Sequence, residues 1–302
     1  MSVLWVDTDF GFDDLWALLV LRHLGAQVAG ISLVAGNTPL PQVVRNALGA
    51  RKAYGLEAQI YVGADRPLMR EAETAERILG PNGMLSRGKL LPEGHGTVES
   101  DDARTALAAW LQCAKPNERR DILAIGPLTN IARLIQDAPD LAQTITRIIW
   151  MGGSDGAGNH SPLAEFNALA DPEAALIVAQ AGIALDVVDL MLCRTATFGP
   201  EDLPRSDPLT SDLLGGYLDI ALTRGRSKMA IYDPIAALVA CEQEAFTYRH
   251  CDMSVSTLTD ASYGKTTFTP NNDGSTRLVV KTKLDAATSC LEALSGNQAN
   301  VD

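Results

Sequence analysis

The chain has 302 residues, 46% apolar and 21% charged, which is ordinary for a soluble globular protein with room for a large core. A net charge of −12 argues against a nucleic-acid or anionic-membrane partner and leaves a small ligand open. No uncharged apolar run reaches the roughly 18 residues of a membrane span, and five scattered cysteines without a CxxC pair point to reduced thiols.

Short β-rich runs predict strands at 3–7, 28–35, 60–63, 121–126, 147–151 and 184–190. Helical spacing marks 15–24, 41–54, 101–114, 129–137 and 172–181 between them. Ser100 and Asp171 suit N-caps, Pro172 a first helical position and Gly182 a stop. The segment 64–100, with GPNG at 80–83, reads as a long, partly mobile loop with a short helix. Residues 200–230, with Tyr217, Arg224 and Arg226, read as helices or a lid. A Thr-rich alternating stretch at 252–282 predicts a small hairpin before a last helix at 284–294. The alternation predicts an α/β fold: an open, mostly parallel sheet with helices on both faces, plus a small C-terminal hairpin. Without a linker, repeat or low-complexity tract, one domain over 1–302 is expected.

Ligands of such sheets bind at the carboxyl ends of the strands. The sequence DTDFGFDDLWALLVL (7–21) places Asp7, Asp9, Asp13 and Asp14 at the first of those ends, beside a stretch that should be buried. Asp7 and Asp9 are two apart on an extended segment, so their side chains are expected to point the same way. Gly11 permits a sharp turn, after which Asp13 and Asp14 open a helix whose N-terminus favours negative charge. Four buried acids still need a counterion, and all-oxygen donors suit Ca²⁺ or Mg²⁺ rather than zinc. The competing reading has Asp13 and Asp14 capping the helix and the others solvated. An EF-hand is excluded, because the twelfth loop position is Leu18 rather than Glu.

Further along stand VAGN (34–37), GPLTNIA (126–132), MGG (151–153), AEFNALADPEAA (164–175) and YDPIA (232–236). Taken in order after DTDFGFDD, this set resembles the inosine–uridine nucleoside hydrolase family along essentially the whole chain. The resemblance implies an open α/β fold that binds one Ca²⁺ and hydrolyses the N-glycosidic bond of ribonucleosides to ribose and free base. It implies Asp9, Asp14, Asp233 and the Ile125 carbonyl as calcium ligands, with Asp9 also the base toward a water held by the ion. It further implies Asp13, Asn159, Glu165 and Asn167 as ribose binders, with Asn37 and Met151 lining the same pocket and Asp7 behind the ligands. A homodimer or homotetramer in the cytoplasm, acting on a nucleoside and on neither nucleic acid nor membrane, is the matching expectation.

Departures from the family pattern bear on the base. Phe10 replaces the proline of the usual D-x-D-P-G opening, and Tyr232 stands where many members carry histidine before the last calcium-binding Asp. A second histidine common in the 64–100 loop has no counterpart around LGPNGM (79–84). A phenol with an ordinary pKa near 10 is a poor acid at neutral pH but can stack on a base, which favours purine nucleosides. Arg224, Arg226 and Lys228 lie close enough in sequence to reach that base, though surface solvation is the simpler reading for at least two of them.

For other residues plainer roles are expected. Asn130 reads as a turn or cap residue, Trp5, Trp16 and Trp110 as core, and Gly126, Gly152 and Gly153 as points of close backbone approach. His23, His95, His160 and His250 show no mutual metal spacing and receive no catalytic role. Two rival functions remain: a haloacid-dehalogenase-type phosphatase with Asp7 as nucleophile, and a non-catalytic nucleoside or ribose binder. The first fits poorly because Asp101 and Asp102 fall in a helical pattern, the second because a binder has no use for Asp9 as a base.

Overall fold

The strand β1 (Val3–Thr8) sends Leu4 and Val6 to one side and Trp5 to the other, and both sides are buried. A central strand of a parallel sheet requires that double burial. The computed structural model describes residues 3–94, 98–99, 102–115, 118–296 and 299. The remaining strands are β2 (Gln27–Leu33), β3 (Ile60–Val62), β4 (Asp121–Ala124), β5 (Arg147–Met151), β6 (Leu185–Val188), β7 (Thr197–Phe198), β8 (Met229–Ala230), β9 (Phe246–Val255), β10 (Thr266–Pro270) and β11 (Thr276–Thr282).

Nine of them form one sheet in the order β10-β9-β11-β6-β5-β4-β1-β2-β3. Neighbours from β3 across to β11 run parallel, and only β9 and β10 are antiparallel to their partners. Short β7 and β8 pair with each other. The open, mostly parallel sheet is therefore as expected. The C-terminal hairpin is present as antiparallel β9 and β10, and it is joined to the main sheet rather than standing apart. β11 pairs with β6 and carries β9 and β10 outward, so the meander covers an edge of β6 that would otherwise lie open.

Helices Phe12–His23, Leu40–Tyr54, Pro208–Leu222, Asp233–Cys241 and Ala286–Gly296 pack on the Leu4 and Val6 face. Helices Ala103–Gln112, Thr129–Asp137 and Pro172–Gln180 pack on the Trp5 face. Asp171 caps its helix by accepting from the Ala174 N–H at 3.1 Å, and Gly182 follows the helix end at φ +71°. The expected cap Ser100 lies outside the described residues, as do Asp101 and His95; Asp102 caps Ala103–Gln112 through the Thr105 N–H. Residues 208–222 are not a lid, since Leu213, Leu214, Tyr217 and Leu218 are all buried core. Trp5 and Trp16 are likewise core, while Trp110 is half-buried against Trp5.

All five cysteines are unpaired. Among the described residues no helix is long and apolar enough to cross a membrane. From β1 the chain builds β2 and β3 to one side, then returns to lay β4, β5 and β6 on the other. That reversal opens a crevice between the carboxyl ends of β1 and β4, where the Asp9–Asp14 turn and Ile125 meet.

Candidate active site

The turn after β1 is set by local geometry. Phe10 has φ +42°, the only positive value outside glycine among the described residues. Its ring is fully buried, its N–H donates to Thr8 Oγ1 at 3.0 Å, and its carbonyl accepts from Asn46 Nδ2 at 3.0 Å. Proline fixes φ near −65°, so the D-x-D-P-G form of this turn is incompatible with the conformation adopted here. Gly11 then leads into Phe12–His23 and donates its N–H to Asp14 Oδ2 at 2.7 Å. Thr8 Oγ1 donates to Asp14 Oδ1 at 2.5 Å, so both oxygens of Asp14 are fixed.

Around that turn the acids converge. One oxygen each from Asp13, Asp14 and Asp233 lies within 4.8 Å of the others. Asp233 arrives as the first residue of Asp233–Cys241 and is buried. Asp9 stands beside them, its Oδ2 accepting from the Asn37 N–H at 2.6 Å and its Oδ1 buried without a partner. Gly36 allows that approach, because a Cβ there would lie 2.2 Å from Asp9 Oδ2.

Among the described residues no basic side chain forms a salt bridge with these four carboxylates. Burial, with Asp14 and then Asp13 adding to it, pushes Asp9 well above the usual carboxylate range. Burial and then Asp13, Asp14, Asp9 and Glu165 do the same to Asp233. Burial raises Asp13 to about 6, and burial with the Asp13 charge raises Asp14 to about 7. Such a cluster either holds protons or holds a cation. The unpartnered Asp9 oxygen and the all-oxygen donor set fit a hard divalent ion.

The acids floor a cavity of about 220 Å³. Asn37, Ile125, Met151, Asn159, Glu165, Asn167, Tyr232 and Asp233 all line it, so the residues singled out in the sequence do meet, with Asp14 fixed just behind. Glu165 caps the helix Phe166–Ala170, taking N–H groups from Gly153, Asn167 and Ala168 at 2.8–3.0 Å, and burial raises it to about 7. Asn167 Nδ2 donates to the Met151 carbonyl at 3.0 Å and to that of Ile125 at 3.4 Å, which ties the ends of β4 and β5 together. Asn159, which lines the cavity, accepts from the Phe166 N–H through Oδ1 at 3.0 Å, so its amide N–H₂ is not used in that bond.

Two sequence expectations fail here. Asp7 does not follow the direction of Asp9: it is fully buried, accepts from Ser32 Oγ and Asn130 Nδ2, and does not line the cavity. The phosphatase nucleophile is thereby removed from the site. Asn130 is neither turn nor cap but a buried brace, accepting from the Ala64 N–H and donating to Asp7 and the Leu33 carbonyl. Arg224 and Arg226 line the cavity mouth, whereas Lys228 turns away to Glu201 and Asp202.

Other lining residues had no assigned part. Tyr217 donates to Asp13 Oδ2 at 3.2 Å, and Ala75, Ile78 and Leu79 bring the 64–100 loop to the wall. His160 and Arg194 also line it. The adjacency of His160 to Asn159 was the one available signal; nothing in the sequence marked Arg194.

Residues 4–292 match the inosine-uridine preferring nucleoside hydrolase family. The chain is similar to non-specific ribonucleoside hydrolase RihC of Shigella boydii, 31% identical over 276 residues that cover 87% of this chain and 86% of that one. It is 40% identical over 176 residues to an uncharacterized protein of Schizosaccharomyces pombe, covering 58% of this chain and about half, 52%, of that protein. Among solved structures, an inosine-guanosine nucleoside hydrolase superposes with a TM-score of 0.88 at 20% identity, covering 98% of this chain and 99% of its own. A purine-preferring ribonucleoside hydrolase from Gardnerella vaginalis gives 0.86 at 22%, covering 97% and 99%. The structural likenesses carry the shared fold, and the sequence match carries the rest: the chain belongs to the inosine-uridine preferring nucleoside hydrolase family and is an enzyme of that class.

Proposed function

We propose that this enzyme hydrolyses the N-glycosidic bond of purine ribonucleosides in a calcium-dependent reaction, with Asp9 as the base that activates water. The observation that carries this reading is the uncompensated acidic floor, with one buried Asp9 oxygen unpartnered, beneath a wall of aromatic and apolar side chains. Asp9, Asp14, Asp233 and the Ile125 carbonyl would hold the calcium, which would supply the positive charge that attracts a vicinal diol and acidifies water.

The protein's own groups do the remaining work. Asp9 takes the water proton. Asp13, Asn159, Glu165 and Asn167 hold the ribose hydroxyls, with Asn37 and the Met151 region closing the pocket, which fixes C1′ against the attacking oxygen. As the C–N bond breaks, positive charge develops on the ribose, and the surrounding carboxylates stabilise it.

Tyr232 supports the purine preference. Its phenol is pushed up to about 12, first by burial, so it stays protonated and offers a flat face at the cavity wall. The names of the curated relatives, non-specific ribonucleoside hydrolases, support a broader reading in which pyrimidines are accepted too. Free ribose released from inosine, adenosine, guanosine, uridine and cytidine decides between them. Release from the three purines alone is the expected result; equal release from uridine removes the purine preference and keeps the hydrolase.

A further inference from the structure

Departure of a nucleobase leaves an electron pair on a ring nitrogen, and an acid at the base end of the cavity makes that departure easier. Few groups lining the cavity can serve. Arg194, Arg224 and Arg226 do not release protons in proteins. Glu165 is engaged by three backbone N–H groups. Burial pushes Tyr217 well above its usual range, and its hydroxyl is committed to Asp13. Tyr232 is a phenol, and an ordinary pKa near 10 already makes it a poor donor near neutrality. The remaining candidate is His160, the one imidazole among the lining residues.

His160 is held from several sides. Its N–H and those of Asn159 and Ser161 all donate to the Ala164 carbonyl, at 3.2–3.3 Å. Arg194 clamps the preceding turn by donating to the carbonyls of Ala157 and Gly158, both at 2.8 Å. The imidazole lies 5.3 Å from the Phe166 ring and is mostly covered, at 17% exposure. Its Nε2 stands 2.5 Å from Glu73 Oε1. The Glu73 segment is itself tied to the site, because the Ala75 N–H donates to the Asn37 carbonyl at 3.1 Å.

Glu73 is an acceptor, so Nε2 carries a hydrogen and Nδ1 is the atom left for a ligand. Other charged groups about the ring are Glu165, with which it interacts electrostatically, and Arg77 and Arg224 along the neighbouring cleft. That cleft shares Ala75, Ile78, His160 and Arg224 with the cavity, which gives the ring a solvent-facing side from which protons return.

We infer that His160 is the acid that protonates the departing nucleobase, and that Glu73 is the residue that positions it. The inference rests on the hydrolase reading above. The C1′–N bond breaks with its electron pair passing to the base. A base ring nitrogen takes the proton from His160 Nδ1, a water oxygen bonds to C1′, and Asp9 receives the water proton. Nε2–H stays on Glu73 throughout, and solvent restores the Nδ1 proton.

Leaving-group dependence tests this. Wild type, His160→Gln and Glu73→Gln are compared on inosine and on p-nitrophenyl β-D-ribofuranoside, whose phenolate departs without protonation. For His160→Gln, kcat on inosine is expected to fall by about 10²-fold or more, the range typical of a lost general acid. On the nitrophenyl riboside the same variant is expected to lose less than about 5-fold, which also reports an intact fold and sugar site. Glu73→Gln is expected to lose roughly 3- to 10-fold on inosine alone, as a positioning residue should. Equal losses on both substrates, or no loss on inosine, overturn the inference. If wild type cleaves neither substrate, the hydrolase reading itself fails, whatever the variants do.

Discussion

Tyr217 donates its hydroxyl to Asp13 Oδ2 at 3.2 Å, joining the buried helix Pro208–Leu222 to the first turn of Phe12–His23 at the cavity floor. The phenol leaves Asp13 one oxygen for a sugar and lends it a hydrogen bond that no basic residue supplies. Tyr217→Phe keeps the stacked ring contact with Phe198 and removes this bond together with a longer one to the Ala230 carbonyl at 3.5 Å. A hydrogen bond to a charged group is worth about 1.5–3 kcal/mol, so kcat/KM is expected to fall by about 10- to 100-fold, mainly through KM. Steady-state kinetics check this; an unchanged KM would show that Asp13 needs no such support.

Gly36 and Asp9 make a sharper case. A methyl at position 36 would meet Asp9 Oδ2 at 2.2 Å and Cγ at 2.8 Å. Gly36→Ala must therefore swing the Asp9 carboxylate out of its bond with the Asn37 N–H. Activity is expected to drop by about 10²-fold or more, as displacing a base does, with a much smaller change in thermal stability. A variant that keeps full activity would contradict the placement of Asp9 as the base.

Asn130 is expected to show the opposite balance. It joins Asp7, the Leu33 carbonyl and the Ala64 N–H, all buried and away from the cavity. Asn130→Ala strands those groups, at a cost of about 1–3 kcal/mol in unfolding free energy, while kcat of the folded fraction stays near wild type. Urea denaturation with parallel kinetics separates the two.

The acids also set a pH dependence. Asp7 and Asp13 lie at about 6, and Asp14 and Glu165 at about 7, raised in each case first by burial. A carboxyl whose folded pKa exceeds its unfolded value binds more protons folded than unfolded between the two. Stability therefore falls as pH rises through that window and levels off above the folded values. After chelation, Tm is expected to fall as pH goes from about 5.5 to about 7.5, and added calcium should remove most of that fall, since a bound cation favours the ionised carboxylates. A chelated protein whose Tm rises over this interval would contradict the buried, uncompensated cluster.

Much of this site is legible in the sequence. An apolar run ending in D-x-D-x-G-x-D-D places charge where a parallel sheet opens, and Asp13, Asp14 and Asp233 do meet there. The direction of Asp7 was not legible, because the two-residue alternation holds only along a strand and Phe10 turns the chain at φ +42° just beyond it. The C-terminal meander illustrates another limit. A Thr-rich alternation looks the same in a free hairpin and in strands added to a sheet; the pairing of β11 with β6 decides, and it is non-local. His160 carries no mark in the sequence, because a lone histidine has no spacing signal and its partner Glu73 lies 87 positions away in the chain.

The proposed reaction requires that the acidic floor hold an ion without which Asp9 cannot act. The direct measurement is ribose release from inosine by wild type and Asp9→Asn, each after exhaustive chelation and again after calcium is returned. Wild type should be silent when chelated and regain its rate with calcium, and Asp9→Asn should stay silent in both. Full ribose release from the chelated wild type, or a calcium-restored rate in Asp9→Asn, would contradict it.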